Sequence, residues 1–441
     1  MSNETRNGRT TGATILGIAL VVPLLVSTAM TAAPSGAPAP IEPGVLEQLE
    51  RGPQATFWVV MTDQADLAEA VAIEDWNERG QWVFDRLRTV ADAGQADVLE
   101  VLDRYGATYQ SFWIVSAVRL TGDRNLVEEL SRHPRVVRVA DQRSFTVPDP
   151  GFVIDGDTAD GVEWNIALIR APEVWSTFGM TGEGIVVANI DTGVQFDHPA
   201  VVAQYRGNLG GAGFEHEYNW FDPSSVCGTP SLAPCDNHGH GTHTMGTMVG
   251  DDLGSNRIGV APGARWIAAK GCETNSCSDA ALLASAEWIL APTDLDGNNP
   301  RPDLRPHVVN NSWGGGGGGD WYMGFVDAWI AAGIFPQFSN GNSGPACGTA
   351  GSPGDYPQSY SAGAFANGGA VASFSSRGPS AFAGETKPNV SAPGVAIRSS
   401  VPTDGYAFAS GTSMASPHVA GTVALVWSAA PGLIGDIAWT R

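Results

Sequence analysis

Four short apolar runs recur from residue 184 onward: "GIVVANI" (184–190), "RWIAAK" (265–270), "HVVNNS" (307–312) and "IFPQFSN" (334–340). Each is too short for a helix and lacks polar alternation, as strands buried on both faces do. Between them lie helical stretches such as "DAALLASAEWILA" (279–291) and "WYMGFVDAWIAAG" (321–333). Strand alternating with helix predicts a three-layer α/β/α domain with a mostly parallel sheet. Ligands in such folds sit beyond the carboxyl ends of the strands, so polar residues at those ends are the first candidates for function.

The preceding sequence has a different texture. Arg6 and Arg9, the apolar core "ATILGIALVVPLLVSTA" (13–29) and the small residues after it predict a cleaved export signal over 1–33. An uncleaved membrane anchor is the competing reading, disfavoured by Pro23 and the small-residue tail. Residues 34–54, rich in Pro, Ala and Gly, read as a linker. Residues 55–147 read as a small α+β module: strand "TFWVVM", a long helical stretch over 66–105, strand "SFWIVSAVRL" (111–120), a short helix ended by Pro134, and strand "VVRVADQ" (136–142). A second linker over 148–163 is expected to be exposed. The α/β domain then runs from 164 to 441.

The formal net charge of −22 disfavours phosphate backbones, so nucleic acid is an unexpected partner. The chain has five cysteines. Cys227 with Cys235, and Cys272 with Cys277, are spaced to close small loops as disulfides, which leaves Cys347 as a free, buried thiol.

Three polar clusters follow the predicted strands and turns. Asp191-Thr192-Gly193 ends the first run. Asp-Thr-Gly is also the mark of aspartic proteases, but those need a second such triplet, and the chain has none. His238, His240 and His243 crowd into "DNHGHGTHTMG". They supply a base near neutral pH or, alternatively, a zinc site without the Glu base of helical zinc proteases. "SGTSMASPHVAG" (410–421) puts Ser413 at the mouth of an apolar helix that should start near Thr412. Pro417 is tolerable only near a helix start. Plain N-capping by Thr412 or Ser413 is the structural alternative. A helix-mouth hydroxyl gains free backbone N–H groups that face developing negative charge, and a neighbouring histidine can take its proton. The chain order acid, histidine, serine differs from that of α/β-hydrolases and is the order known in subtilisin.

With "VANIDTGVQFDHP", "HGTHTMG", "SNGNSGP" and "SGTSMASPHVAG" in that order, the sequence resembles the subtilisin-like serine proteases over 164–441. The wording "NNSWGGG" and "FSSRGPS" is most similar to the bacillopeptidase F branch. The resemblance implies a secreted, self-processing serine endopeptidase acting on polypeptides, with the small module as a ferredoxin-like inhibitory propeptide and the cut between about 146 and 161. A catalytically silent peptide-binding relative and a zinc hydrolase are the rival readings. Residue by residue, the resemblance implies Asp191 as the orienting acid, His240 as general base, Ser413 as nucleophile, and an oxyanion hole from Asn342 and the Ser413 N–H. Peptide-pairing edges would be Ser312, Trp313, Gly314 and Gly315 on one side and Ser339, Asn340 and Gly341 on the other. Gly351 would floor the pocket for the residue before the cut. Trp313 stands where the family has a smaller apolar residue, and core packing is its alternative role. Asp355 could favour a basic side chain in that pocket. No cofactor is required for the chemistry. Ala200 replaces an acidic calcium ligand of the family, and "TDLDGNN" (293–299) reads as a turn. The family's last helix usually continues past 441. A monomer is expected, with no stable membrane insertion once the signal is removed.

Overall fold

The computed structural model describes residues 37–155, 161–382 and 384–441. The export-signal prediction over 1–33 therefore lies outside the described residues. Seven strands form one sheet in the order Val390–Pro393, Tyr360–Phe365, Phe335–Ser339, Val308–Asn311, Val186–Ile190, Arg265–Ala269, Trp220–Phe221, and every pairing in it is parallel. The four apolar runs supply its centre. Helices His240–Val249 and Thr412–Ala429 pack on one face, against Val187, Trp266 and Phe335. Helices Asp279–Leu290 and Met323–Ala331 pack on the other, against Ile190, Ile267 and Phe338. Both faces are covered, which is why these strands are apolar without alternation.

The small module is a four-stranded antiparallel sheet, ordered Tyr109–Phe112, Ala117–Gly122, Ala55–Met61, Val136–Asp141. Its central strand is buried on both sides. Phe57, Val59 and Met61 pack with Val98, Leu102 and Leu130 of its own helices. Trp58 and Val60 join the core formed with Leu282, Phe325 and Trp329 of the α/β domain. The Trp58 indole N–H donates to Asp279 Oδ2 at 2.7 Å. Arg79 donates to the carbonyls of Ile330 and Ala331 at 2.9 and 2.5 Å, satisfying helix-end acceptors from a second chain segment.

Four sequence expectations need correction. Residues 34–54 are not merely a linker, because Pro43–Arg51 is a helix with Val45 fully buried in the small module's core. The strand expected over 111–120 is a hairpin broken at 113–116, where Glu287 of the neighbouring domain binds the turn. The helix expected over 66–105 starts at Trp76, where the Asp75 side chain accepts from the Glu78 N–H. Part of the stretch expected to be exposed after 146 is buried as well, including Val147 and Pro150.

Candidate active site

Strands 186–190 and 308–311 are parallel neighbours with Ile190 opposite Asn311, so Asp191 and Ser312 emerge side by side at the carboxyl edge. Adjacent strands lie about 5 Å apart. Each of these residues holds one further group. Asp191 Oδ1 and His240 Nδ1 are 2.7 Å apart, and both side chains are fully buried. Ser312 and Ser413 exchange two hydrogen bonds: Ser312 Oγ donates to the Ser413 carbonyl at 2.9 Å, and Ser413 Oγ donates to the Ser312 carbonyl at 3.1 Å.

Asp191 is held as an acceptor from several directions. The Thr192 N–H donates to Oδ1 at 2.7 Å and Thr244 Oγ1 to Oδ2 at 3.2 Å. His240 opens its helix, and Asp236 fixes that helix start. One Asp236 oxygen accepts from the N–H groups of His238 and Gly239 and from Thr192 Oγ1. The other accepts from the Thr242 N–H and Oγ1. Gly193 adopts φ +100°, and a Cβ there would sit 1.9 Å from the Cys235 carbonyl oxygen, so only glycine allows the turn after the acid. Lys270, fully buried, donates to the Thr192 carbonyl and to Asn237 Oδ1, and burial lowers its pKa. Asp236 and Lys270 received no role in the sequence reading. "DNHGHG" contains the first, but an acid two residues before a histidine cluster carries no signal of capping.

The helix Thr412–Ala429 begins where the sequence predicts, and neither hydroxyl caps it. Thr412 N–H and Oγ1 both donate to Asn342 Oδ1, at 2.9 and 2.8 Å. That anchors the Asn342 amide beside the helix mouth with its NH₂ end near Gly411. His240 Nε2 has no hydrogen-bond partner among the described residues, and Ser413 Oγ is bonded to Ser312 rather than to it.

The three histidines do not converge. His243 Nε2 donates to the carbonyls of Ile397 and Ala407 at 3.0 and 3.1 Å, and burial pushes its pKa down to about 3. His240 is committed to Asp191, and the His238 and His240 rings are 6.4 Å apart. The zinc alternative built on His238, His240 and His243 is therefore set aside. Among the described residues no group of three or more His, Cys, Asp or Glu could hold a metal ion. Ala200 is buried and its N–H donates to His198 Nδ1. Asp355 is buried, with Oδ2 accepting from the Gly318 N–H at 2.8 Å and Oδ1 without a hydrogen-bond partner among the described residues. Cys227–Cys235 and Cys272–Cys277 are disulfides, and Cys347 is free but exposed rather than buried.

A groove runs past this centre, and the chain itself lies in it. Ser144–Thr146 pairs antiparallel with Ser276–Ser278 on one side. On the other, Thr146 and Gly314 exchange backbone hydrogen bonds at 3.3 and 3.4 Å. The Val147 N–H donates to the Asn275 carbonyl at 2.9 Å. Phe145 packs against Trp313 and Tyr322, with ring centroids 6.0 and 5.0 Å away. Trp313 is thus both packed and groove-lining. Gly351 donates to the Asn340 carbonyl, and a Cβ on it would lie 2.4 Å from the Gly315 carbonyl oxygen, so the two backbones approach this closely only because the residue is glycine. The Asn340 side chain is turned away to the Ser376 carbonyl, which leaves only its backbone beside the groove. Ser339 is buried at the end of its strand, and Gly341 follows with φ +99°.

A buried acid–histidine pair and a helix-mouth serine at neighbouring ends of a parallel sheet form the constellation of a serine hydrolase. The subtilase family model matches residues 182–440, and the chain belongs to that family, the serine endopeptidases of the subtilisin type. It is 43% identical over 379 residues to Bacillopeptidase F of Bacillus subtilis (strain 168), covering 80% of this chain and 26% of that protein. The chain thus spans about a quarter of that relative's length. Subtilisin E of the same organism is 31% identical over 349 residues, 78% of each chain, and a Subtilisin of Bacillus pumilus is 32% identical over 277 residues, 62% of this chain and 87% of that one.

Proposed function

We propose that the chain is a secreted serine endopeptidase made as a self-processing zymogen. His240, oriented through Nδ1 by Asp191, takes the Ser413 proton at Nε2 as the hydroxyl attacks a peptide carbonyl. The tetrahedral oxyanion is received by the Asn342 amide and the Ser413 N–H, both donors available at a helix mouth. Collapse to the acyl-enzyme needs a proton on the leaving amine, which the imidazolium supplies. Water then releases the acyl group by the same route. The serine hydroxyl must turn from the Ser312 carbonyl to His240 before it can react.

One observation carries the reading: residues 144–147 lie in the groove as an added strand, hydrogen-bonded to Asn275–Ser278 and to Gly314, and lead toward Ser413. Extended polypeptide is therefore the substrate class, recognised by main-chain pairing with side-chain pockets. The small domain is then an intramolecular inhibitor that delivers its own end to the site. Export is supported by the leader-like sequence before residue 34 and by two disulfides. The test is a Ser413→Ala variant: it should lose casein hydrolysis and labelling by a fluorophosphonate probe, and keep the small domain attached. Casein hydrolysis persisting in that variant would refute the mechanism.

A further inference from the structure

Among the described residues, the strand Ser276–Ser278, which forms one wall of the groove, has no strand partner except Ser144–Thr146. Once that segment gives way to a substrate, nothing in the sheet holds the wall extended. An unpaired three-residue edge loses its shape at little cost, and each peptide would then have to order it again on binding.

Beyond the cap that Ser278 places on the helix Asp279–Leu290, a covalent tie and polar ties remain. Cys277 sits in the middle of this edge, opposite Phe145, and is joined to Cys272. Cys272 follows the strand Arg265–Ala269 closely, and its N–H donates to the Asp191 carbonyl at 3.1 Å. Both cysteines are fully buried. Within the loop between them, Glu273 binds back on the edge: its N–H donates to the Ser276 carbonyl, and its carboxylate accepts from the Ser278 N–H and Oγ.

We propose that the Cys272–Cys277 disulfide is a positioning element for extended substrates. It ties the groove wall to the backbone of the catalytic acid, so that the wall is pre-formed when the peptide arrives. This rests on the proposed peptidase function. The bond touches no reacting atom. Its effect falls on residues upstream of the cut, which pair with Asn275–Ser278, and much less on a substrate that carries a single residue before the scissile bond.

The test compares processed enzyme, in a Cys347→Ser background, with a Cys272→Ser/Cys277→Ser variant. Two substrates are used: a tetrapeptide amide and a single-residue ester with the same residue before the cut. The ratio of kcat/KM for the tetrapeptide to that for the ester should fall by about tenfold, chiefly through KM, which corresponds to one or two lost main-chain hydrogen bonds. A structural defect alone would lower both substrates together and leave the ratio unchanged. A ratio unchanged within twofold would overturn the proposal, while fluorophosphonate labelling of Ser413 in the same sample reports separately on the peptidase function. If the double variant does not fold, graded reduction of the folded enzyme, with alkylation of Cys272 and Cys277 quantified by mass spectrometry, gives the same ratio against the fraction opened.

Discussion

Glu287 of the α/β domain accepts the backbone N–H groups of Trp113 and Ile114, the second at 3.1 Å, at the turn of the small domain's hairpin. It borders a cavity of about 470 Å³ between the domains, lined also by Phe84, Arg88 and Trp288. Burial there pushes its pKa up to about 8, against the two N–H donors that favour the carboxylate. Removal of the small domain uncovers the group and returns it toward an ordinary Glu. The assembled state therefore binds more protons than the separated one. Its stabilisation is full below the ordinary Glu range and is lost as pH rises through about 8. Release of the cleaved small domain, followed as appearance of peptidase activity, should become easier by about a hundredfold between pH 6 and pH 9. Glu287→Gln should flatten that dependence, and an unchanged pH profile in that variant would contradict the assignment.

Asn342 is fastened by its Oδ1 to Thr412, which leaves its NH₂ end to act on developing charge. Such a donor contributes more to the transition state than to substrate binding. Asn342→Leu should lower kcat by about 10²–10³, the loss known for this type of donor in a subtilisin, with KM nearly unchanged. Thr412→Val, which removes one of the two anchors, should give a smaller loss of the same kind. A loss confined to KM would place Asn342 in substrate binding instead.

How much of this was legible beforehand follows from the physics of each feature. The central strands announced themselves because burial on both faces forbids polar residues. The strands Tyr360–Phe365 and Val390–Pro393 did not, since "YSAGAF" and "VSAP" are small and mixed and derive their burial from the serine helix packed over them. Asp191 and Ser413 stood out at a strand end and a helix mouth, whereas His240 could be told from His238 and His243 only by the resemblance to the subtilisin-like proteases. Lys270 and Glu287 could not, because their partners lie far along the chain or in another domain, and Asp236 could not, because its local bonds form only once the His240 helix start is in place. The helix Pro43–Arg51 was hidden by the Pro and Gly of its first turn, and Val45 earns its burial only from tertiary packing.

His418 lies on the serine helix with both ring nitrogens engaged as a neutral imidazole. Nδ1 donates to the Met414 carbonyl at 2.8 Å, and Nε2 accepts from the Asn165 amide at 2.7 Å. Burial drops its pKa to about 4. His307, whose Nδ1 accepts from the Val186 N–H, is lowered to about 4 by burial as well. A depressed histidine binds fewer protons folded than unfolded. Stability is therefore intact above about pH 6.5 and lost as pH falls toward 4. Asp327, raised to about 6 by burial, acts in the opposite direction. Thermal unfolding of the Ser413→Ala protein between pH 7 and pH 4.5 should show the net loss. His418→Gln should remove about 1–3 kcal/mol of that pH-dependent part. An unaltered slope in the variant would mean that the carboxylates set the acid limit.

The pairing of Thr146 with Gly314 is antiparallel, so two residues further on Pro148 faces Ser312. An ordinary residue at that point could donate its N–H to the Ser312 carbonyl, but proline has none. The carbonyl is taken instead by the Ser413 hydroxyl, at 3.1 Å, which draws the nucleophile away from His240. Downstream, the Ser410 N–H donates to the Pro150 carbonyl, which fixes the far side of the crossing segment. Continued in this register, the segment would bring the Pro148–Asp149 bond to the serine without the donor that holds it for attack, so self-cleavage there should be slow. Pro148→Ala restores the donor and frees the hydroxyl for His240. That variant should process its small domain at least about tenfold faster, the worth of one main-chain hydrogen bond to a reacting segment together with a correctly placed nucleophile. N-terminal sequencing of the first product should give Asp149. A first cut elsewhere, or a Pro148→Ala rate equal to the parent's, would mean that the segment crosses the site in a different register when it reacts.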